Sequence, residues 1–526
     1  MSVFALMPTG FLVSTTILAA TALAACGAND SGKAAYVVVL VWDGMRPDLI
    51  TPENAPTLSA LLHAGVIFKR NHAAYPSSTN VNGAVLATGV TPAHAGVLAN
   101  LEFRPAIDPA KPFDTSDFPA LDGNPEINAK FLGAPTIAEI LQAAGHWTAV
   151  VGAKPVAQFF DRSRTRTSEA AKKSTVVYRG KILPADTGDR ITRALGPFPV
   201  RKTFPNKSED DWTTRVLTDV LWADDVPKFS LLWLSEPDLT EHETALGAPT
   251  AVAAIRNSDN NLAKVMAALK AKNVLAQTDI FVVSDHGFST IYHVTDVAAR
   301  LREAGFDAVR AFGEKPNRGQ ILVVSLGGSV AFYVVDNDQA VIEKLIDFLQ
   351  RSDFAGVILT REKHEGTFTF AQAEIDAPAA PDVLVACRWN DRPNEFRVAG
   401  QIASDIGRSA GHGSHSTLSP RDMNNTLIAS GPDFRCGWSD DTPSGNIDLA
   451  PTILWILGIK PTHPMDGRIL REAMADAHQS AGVTEKTMEA TRSLAGRLWR
   501  QHLRSATVGG VTYFLEGNGS FTSEHP

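Results

Sequence analysis

The sequence predicts an α/β fold: a largely parallel sheet with helices on both faces and an inserted cap region. Three observations carry this. From residue 36 onward, short β-branched runs alternate with helical stretches, the order of strand and crossover in a parallel sheet. The strand runs are apolar along their length, as strands buried on both faces are. Several of them break directly into acidic or imidazole side chains, and it is outside the carboxyl ends of its strands that an open α/β sheet binds ligands.

The chain opens differently. Residues 11–25, FLVSTTILAATALAA, are apolar, short for a membrane span, and end in small residues as a secretory signal does. Leu23-Ala24-Ala25-Cys26 resembles a bacterial lipobox, in which the cysteine is lipidated and becomes the mature N-terminus. The first ten residues carry no Lys or Arg, so the usual positive start of such a signal is missing. The expectation is a lipoprotein-type signal over 1–25, a tether over 26–35 and one catalytic domain over 36–526. Export, with a lipid anchor at Cys26 holding the protein to a bacterial membrane on its periplasmic or outer side, follows from that reading.

Within the domain the clearest core strands are AYVVVLVW (35–42), HWTAVVG (146–152), FSLLWLS (229–235) and DIFVVS (279–284). Helical patterns fall at 55–65 and 248–272, where apolar residues recur at three-to-four spacing. A late helix is expected over 446–459, beginning near Pro451, a residue suited to a first helical turn. Two stretches fit the strand–helix alternation poorly, the Pro- and Asp-rich 101–135 and roughly 300–400. Both read as insertions that build a cap over the carboxyl edge of the sheet. Cys387 and Cys436 remain in the mature chain; in an oxidising compartment they either pair or stay as separate thiols. The net charge is −8 and no Lys/Arg-rich run occurs, so nothing marks a nucleic-acid-binding module.

The chemistry-bearing residues lie at strand ends. Asp43 follows the first strand; Asp238, with His242 four residues on, follows another; Asp285 and His286 follow a third. Much later, SAGHGSHS supplies His412 between glycines, with His415 nearby. Each alone reads as a cap, a solvated loop residue or a satisfied polar group. Together, at the same edge of one sheet, three carboxylates and three imidazoles suit a transition metal. YPSSTNVNGAVLATG (75–89) passes from a Pro/Ser turn into a small-residue helix with Thr79 at its start, where free N–H groups favour an anion. A threonine hydroxyl is a weak nucleophile until a metal or base activates it, and Thr79 could equally be an N-cap.

These segments, in this order, resemble the alkaline phosphatase superfamily, in its type I phosphodiesterase/nucleotide pyrophosphatase branch. The resemblance rests on D-G-x-R-x-D (Asp43 to Asp48), P-x-x-T leading to T-G (Pro76, Thr79, Thr88, Gly89) and H-x-G-x-x-x-N (His94 to Asn100). It continues through P-D-x-x-x-H-x-x-x-x-G (Pro237 to Gly247), S-D-H-G (Ser284 to Gly287) and G-H-G (Gly411 to Gly413). It implies two zinc ions, one held by Asp238, His242 and His412, the other by Asp43, Asp285, His286 and Thr79. His415 is the rival of His412 and ranks lower because a glycine follows His412. Asn100 is implied as a donor to a non-bridging phosphoryl oxygen, and Thr79 as the nucleophile of a phospho-threonine intermediate.

The resemblance makes the substrate a phosphoester or nucleotide-like small molecule, with phosphodiester or pyrophosphate bonds favoured. Phosphomonoesterases of the superfamily add cations, one group placing Lys and Arg two residues apart after a strand. Here Lys154 stands in that setting, but position 156 is valine; Arg162, Arg164 or Arg166 are the remaining candidates to reach in from the cap. A monoesterase is therefore the alternative. A sulfatase would need a C/S-x-P-x-R setting absent around Thr79, and a non-catalytic metal-dependent binding lipoprotein would have lost a ligand or the nucleophile.

Overall fold

The computed structural model describes residues 1–2, 31–117, 128, 130–162, 166–477 and 482–523. The expected signal, Cys26 and Arg164 lie outside the described residues. The elements that position the site are, in chain order, β1 (Tyr36–Trp42), α1 (Pro56–Ala64), β2 (Val66–Phe68), α2 (Thr79–Thr88), β3 (Thr148–Gly152), β4 (Thr175–Tyr178) and β5 (Lys181–Leu183). They continue with β6 (Phe229–Leu234), α3 (Pro249–Ala271), β7 (Thr278–Val283), β8 (Leu427–Ser430) and β9 (Trp438–Asp440).

Nine strands form the central sheet in the order β9-β2-β8-β7-β1-β6-β3-β4-β5. The five from β7 to β4 run parallel, and β8 enters antiparallel against β7. The unbroken apolar run of β1 has a direct cause. Val37, Val39 and Val41 pack with Ala84 and Ala87 of α2 on one face. Val38, Leu40 and Trp42 pack with Leu58 of α1 and Leu262 and Val265 of α3 on the other. With both faces covered, alternation has no solvent side to serve.

Residues 289–405 carry a six-stranded sheet and the helix Gln339–Arg351, with a core of their own around Val323, Phe332, Leu345 and Ile358. This is the stretch that broke the strand–helix alternation. Its backbone reaches the site edge: Gly328 N–H donates to the His415 carbonyl at 2.9 Å, and Ser329 Oγ lies 3.1 Å from the Tyr75 hydroxyl.

The late helix runs Leu449–Ile456 with Pro451 in its first turn, led in by the short turn Asn446–Asp448, where the Asp448 carboxylate accepts from Gly445 N–H at 2.9 Å. No element was expected after residue 459, yet three long antiparallel strands, β10 (Val483–Leu494), β11 (Arg497–Val508) and β12 (Val511–Ser523), follow it. The Gln501 amide stitches this sheet to the inserted one, accepting from Ile358 N–H at 2.7 Å and donating to its carbonyl at 3.1 Å. Cys387 is buried, Cys436 is exposed, and both are free thiols. Among the described residues, no helix is long and apolar enough to cross a membrane.

Candidate functional site

The tips of β1, β6 and β7 deliver Asp43, Asp238 and Asp285 to one buried space. Glycine makes the close approach possible. Gly44 adopts a left-handed φ of +72°, and a Cβ there would stand 2.9 Å from the Phe288 ring and 3.1 Å from Asp238 Cβ. A Cβ on Gly287 would stand 2.0 Å from the Arg421 carbonyl oxygen, so only glycine lets the chain turn away after His286. The Asp238–Glu241 helical turn sets His242 one turn after Asp238, Nε2 lying 3.3 Å from Asp238 Oδ1.

Each carboxylate is half-anchored. Trp233 Nε1–H donates to Asp43 Oδ2 at 2.7 Å, Gly44 N–H to Asp285 Oδ1 at 3.0 Å, and Lys154 Nζ to Asp238 Oδ2 at 2.5 Å. The second oxygens, Asp43 Oδ1, Asp285 Oδ2 and Asp238 Oδ1, are buried with no hydrogen-bond donor. Asp43 Oδ1 has ion-pair contacts alone, 2.8 Å to Lys154 Nζ and 3.8 Å to His286 Nε2.

The imidazoles are anchored at the far side of each ring. His242 Nδ1 lies 3.0 Å from the Gly413 carbonyl, His286 Nδ1 2.9 Å from the Gly287 carbonyl, and His415 Nδ1 2.9 Å from the Ser77 carbonyl. A carbonyl accepts only, so each Nδ1 carries the proton and each Nε2 presents a lone pair. Burial lowers the proton affinity of His242, and burial with the nearby His286 lowers that of His415 well below the ordinary histidine value. Nε2 lone pairs therefore face bare carboxylate oxygens: His286 Nε2 stands 3.3 Å from Asp285 Oδ2, and His415 Nε2 3.6 Å from Asp238 Oδ1. Lone pair against lone pair at such distances is repulsive unless a cation lies between them. Burial and the neighbouring Asp285 hold Asp43 well above the usual carboxylate range despite Lys154. Burial also pushes Asp238 upward, but the Lys154 ammonium beside it outweighs that and holds it well below. One ammonium does not neutralise the cluster. Two groups of donor atoms are close enough to share an ion, Asp43/Asp285/His286 and Asp238/His286/His415. The donor set fits divalent metal.

His412 is not in this cluster. It is half-buried at the outer end of the two-residue strand Gly413–Ser414, which pairs antiparallel with Ser289–Thr295 and carries the chain inward. His415, 5 % exposed, emerges at the inner end and stacks on His286 with centroids 3.7 Å apart. The glycine after His412, which favoured that residue in the sequence, has another cause: a Cβ on Gly413 would stand 2.6 Å from both the Glu241 carbonyl oxygen and the Phe288 ring. The ranking of the two histidines is reversed.

Thr79 is the first helical residue of α2, with Ser78 at the N-cap position, so its hydroxyl is not the cap. Thr79 Oγ1 lies 3.2 Å from His286 Nε2. Asn100 Oδ1 accepts from Asn80 N–H at 2.8 Å, which leaves the Asn100 amide group as its donor. Thr79, Asn100 and Lys154 line one cleft of about 280 Å³. Val156 packs into α2 against Gly83. Arg166 bonds to Asp161 and to the Ala171 and Ser174 carbonyls, and Arg162 to Asn128, so neither is a cleft residue. The cations that do line the cleft with Lys154 are Arg179 and Arg201, which the sequence did not mark because neither belongs to a motif. The Tyr-Arg-Gly-Lys turn between two short strands was the available signal for Arg179.

The pattern of the type I phosphodiesterase / nucleotide pyrophosphatase family matches residues 37–394. Venom phosphodiesterase of Macrovipera lebetinus is 24 % identical over 289 residues, 54 % of this chain and 27 % of that protein. Venom phosphodiesterase of Naja atra is 22 % identical over 261 residues, 48 % of this chain and 26 % of that protein. The chain thus spans about a quarter of the length of these curated relatives. Murine ectonucleotide pyrophosphatase/phosphodiesterase 5, in an inactive form in complex with AMP, superposes with a TM-score of 0.59 at 16 % identity, covering 84 % of this chain and 100 % of that one. The human protein of that name gives 0.56 at 17 % identity with the same coverage. At such identities the likeness establishes the fold: a mixed α/β domain built on a large central sheet.

Proposed function

Because the chain belongs to the type I phosphodiesterase/nucleotide pyrophosphatase family of the alkaline phosphatase superfamily, we propose that it is a two-zinc phosphoric ester hydrolase acting on phosphodiester or pyrophosphate bonds through a phospho-threonine. The observation that carries this is the convergence, beside Thr79, of three half-anchored carboxylates and three imidazoles whose Nε2 lone pairs face them. Asp238, His242 and His415 would hold one ion, and Asp43, Asp285, His286 and Thr79 the other. When bound, two divalent ions supply Lewis acidity, lowering the proton affinity of the attacking hydroxyl and of water and offsetting charge on the leaving oxygen.

The chain's own residues do the rest. Thr79 Oγ attacks phosphorus in line; the bond to the leaving oxygen breaks and phosphorus is carried on Thr79. Water then attacks the same phosphorus, the Thr79 Oγ–P bond breaks, and the hydroxyl is regenerated. The Asn100 amide donates to a non-bridging oxygen, and the Lys154 ammonium provides fixed positive charge at the same end of the cleft. Val156 brings no charge to the position two residues after Lys154, and Arg162 and Arg166 are engaged elsewhere, which supports diester over monoester chemistry; Arg179 and Arg201 are the cations left to meet further substrate charge. For location, we keep the reading of an exported protein tethered through a lipidated Cys26, which mass spectrometry of the mature N-terminus decides.

The test is a rate comparison on zinc-loaded enzyme among bis-p-nitrophenyl phosphate, p-nitrophenyl phosphate and a nucleotide p-nitrophenyl ester. The diesters should be cleaved faster than the monoester. A faster monoester reverses the substrate assignment, and hydrolysis of none of the three overturns the function.

A further inference from the structure

We propose that Arg179 and Arg201 form a clamp for a second phosphate of the substrate, one bridged to the phosphoryl group that Thr79 attacks. The proposal rests on Thr79 marking the reacting end of the cleft. Thr79, Asn100, Lys154 and both arginines line one and the same cleft. Arg179 also lines an adjoining cleft of about 410 Å³, whose other charged residues are Asp114, Asp117 and Lys181, so a substrate has room to extend beyond the clamp.

The two guanidinium groups sit on loops that are packed together. β4 and β5 form a hairpin in which Tyr178 pairs with Lys181, leaving Arg179-Gly180 as a two-residue turn with φ of 44° and 79°. That turn favours Asn, Asp or Gly at its first position, and a long side chain rarely adopts it. A residue that disregards local preference while facing a cleft is a candidate for function. Gly180 abuts Phe198, since a Cβ there would lie 2.5 Å from Phe198 Cβ, and Phe198 meets the Trp212 ring edge-on at 5.3 Å. Phe198 opens the loop that carries Arg201, so the hairpin tip and that loop share one wall.

Neither guanidinium has an ion-pair partner among the described residues; Arg201 lies over the Phe204 ring, 5.1 Å from its centroid. Two carboxylates of the same wall are already engaged: Asp114 Oδ1 accepts from Asn80 and Ser116, and Glu209 Oε2 from Asn206. Exposed guanidinium groups flanking a phosphoryl-transfer cleft match the planar, multi-oxygen geometry of phosphate. The expected substrate therefore carries adjacent phosphates, as a nucleoside polyphosphate does, rather than a single phosphate flanked by neutral groups.

The experiment compares kcat/KM for ATP and for bis-p-nitrophenyl phosphate in the wild type, Arg179→Asn, Arg201→Ala and the double variant. Asn suits the hairpin turn, so Arg179→Asn should keep or raise the thermal midpoint, which separates lost charge from lost fold. The ATP-to-diester ratio should fall about tenfold in each single variant and about a hundredfold in the double, mainly through KM for ATP, and Arg179→Lys should recover part of it. A parallel loss on both substrates, or an unchanged ratio, overturns the clamp. If the wild type cleaves neither substrate, the hydrolase reading has failed, and the clamp is judged by calorimetry with α,β-methylene-ADP. Binding at least tenfold weaker in the double variant supports it; equal binding overturns it.

Discussion

At the tips of β1, β6 and β7, Asp43, Asp238 and Asp285 each leave one buried oxygen without a donor, whereas two buried acids nearby are fully covered. Glu236 accepts from Asn206 N–H at 2.5 Å and from the Thr240 hydroxyl and N–H at 2.8 and 3.0 Å. Asp422 accepts from Ser289 Oγ–H and Thr417 Oγ–H, both at 2.5 Å, and from Thr417 N–H at 3.1 Å. All are acids taken out of water, and burial alone distinguishes none of them. What separates the groups is the complement: neutral hydroxyls and amides close one set, while the other faces imidazole lone pairs and a single lysine. A buried acid whose partners are neutral donors braces a turn. One whose partners are also acceptors calls for a cation.

The comparison breaks most sharply at Thr79. Thr79→Ala should lower kcat by about four orders of magnitude while the thermal midpoint moves little, because the attacking atom is lost and no cap is. Thr79→Ser should keep substantial activity. A destabilised but nearly fully active alanine variant would refute the assignment.

Next in size is the histidine pair. His415→Ala should cost roughly a hundredfold or more in activity and lower the metal content of purified protein, whereas His412→Ala should stay within about threefold. The reverse order, by activity and elemental analysis, would restore His412 to the cluster. Metal removal then distinguishes the two sets of acids directly. A chelator should abolish activity and lower the thermal midpoint by several degrees, since bare carboxylates are left facing one another. Asp422→Asn should instead cost about 1–3 kcal/mol of stability, by setting an amide donor against hydroxyl donors, and leave metal content unaltered. Chelation without effect on the midpoint would remove the distinction.

The smallest effect is one of pH. Burial and the neighbouring Asp210 push the Glu236 carboxyl up to about 8 from 4.5. Between those values the native state holds a proton that the unfolded chain has released. The stabilisation is therefore fully present below 4.5 and is lost as pH rises through 8. Glu236→Gln, which does not titrate, should be less stable than wild type near pH 5, and the gap should close toward pH 8. A gap independent of pH would mean that Glu236 is ionised throughout.

The central strands were legible because burial on both faces leaves a plain signature, as in Val37 to Trp42. Asp43, Asp238, Asp285 and His286 were legible as candidates because each falls within four residues of the end of such a strand. His415 was not, because the decision between it and His412 lies in a two-residue strand whose pairing partner is more than a hundred residues away. The glycine that seemed to present His412 serves a contact with Glu241 that no local pattern announces. Arg179 and Arg201 come from a hairpin tip and a proline-rich loop, where side-chain direction is set by packing between the loops. The C-terminal strands carry charged residues at close intervals, and strand β10 is largely exposed, so they lack the apolar signature that marked the others.

The antiparallel insertion of β8 beside β7 has a consequence for how the molecule comes into being. The tip that carries Asp285 and His286 is flanked by β1, made early, and by β8, made nearly four hundred residues later. His415 precedes β8 by a dozen residues and is tied by its ring to the carbonyl of Ser77. A chain growing from its N-terminus therefore holds its first acidic tip long before it can complete the cluster, and closing loops of that length is slow. Synthesis and folding are thereby ordered in time: the group of Asp238, His242 and His415 is complete only when the late part of the chain has docked, and a chain cut short before residue 415 would hold Asp43, Thr79, Asp285 and His286 but no means of completing the cluster.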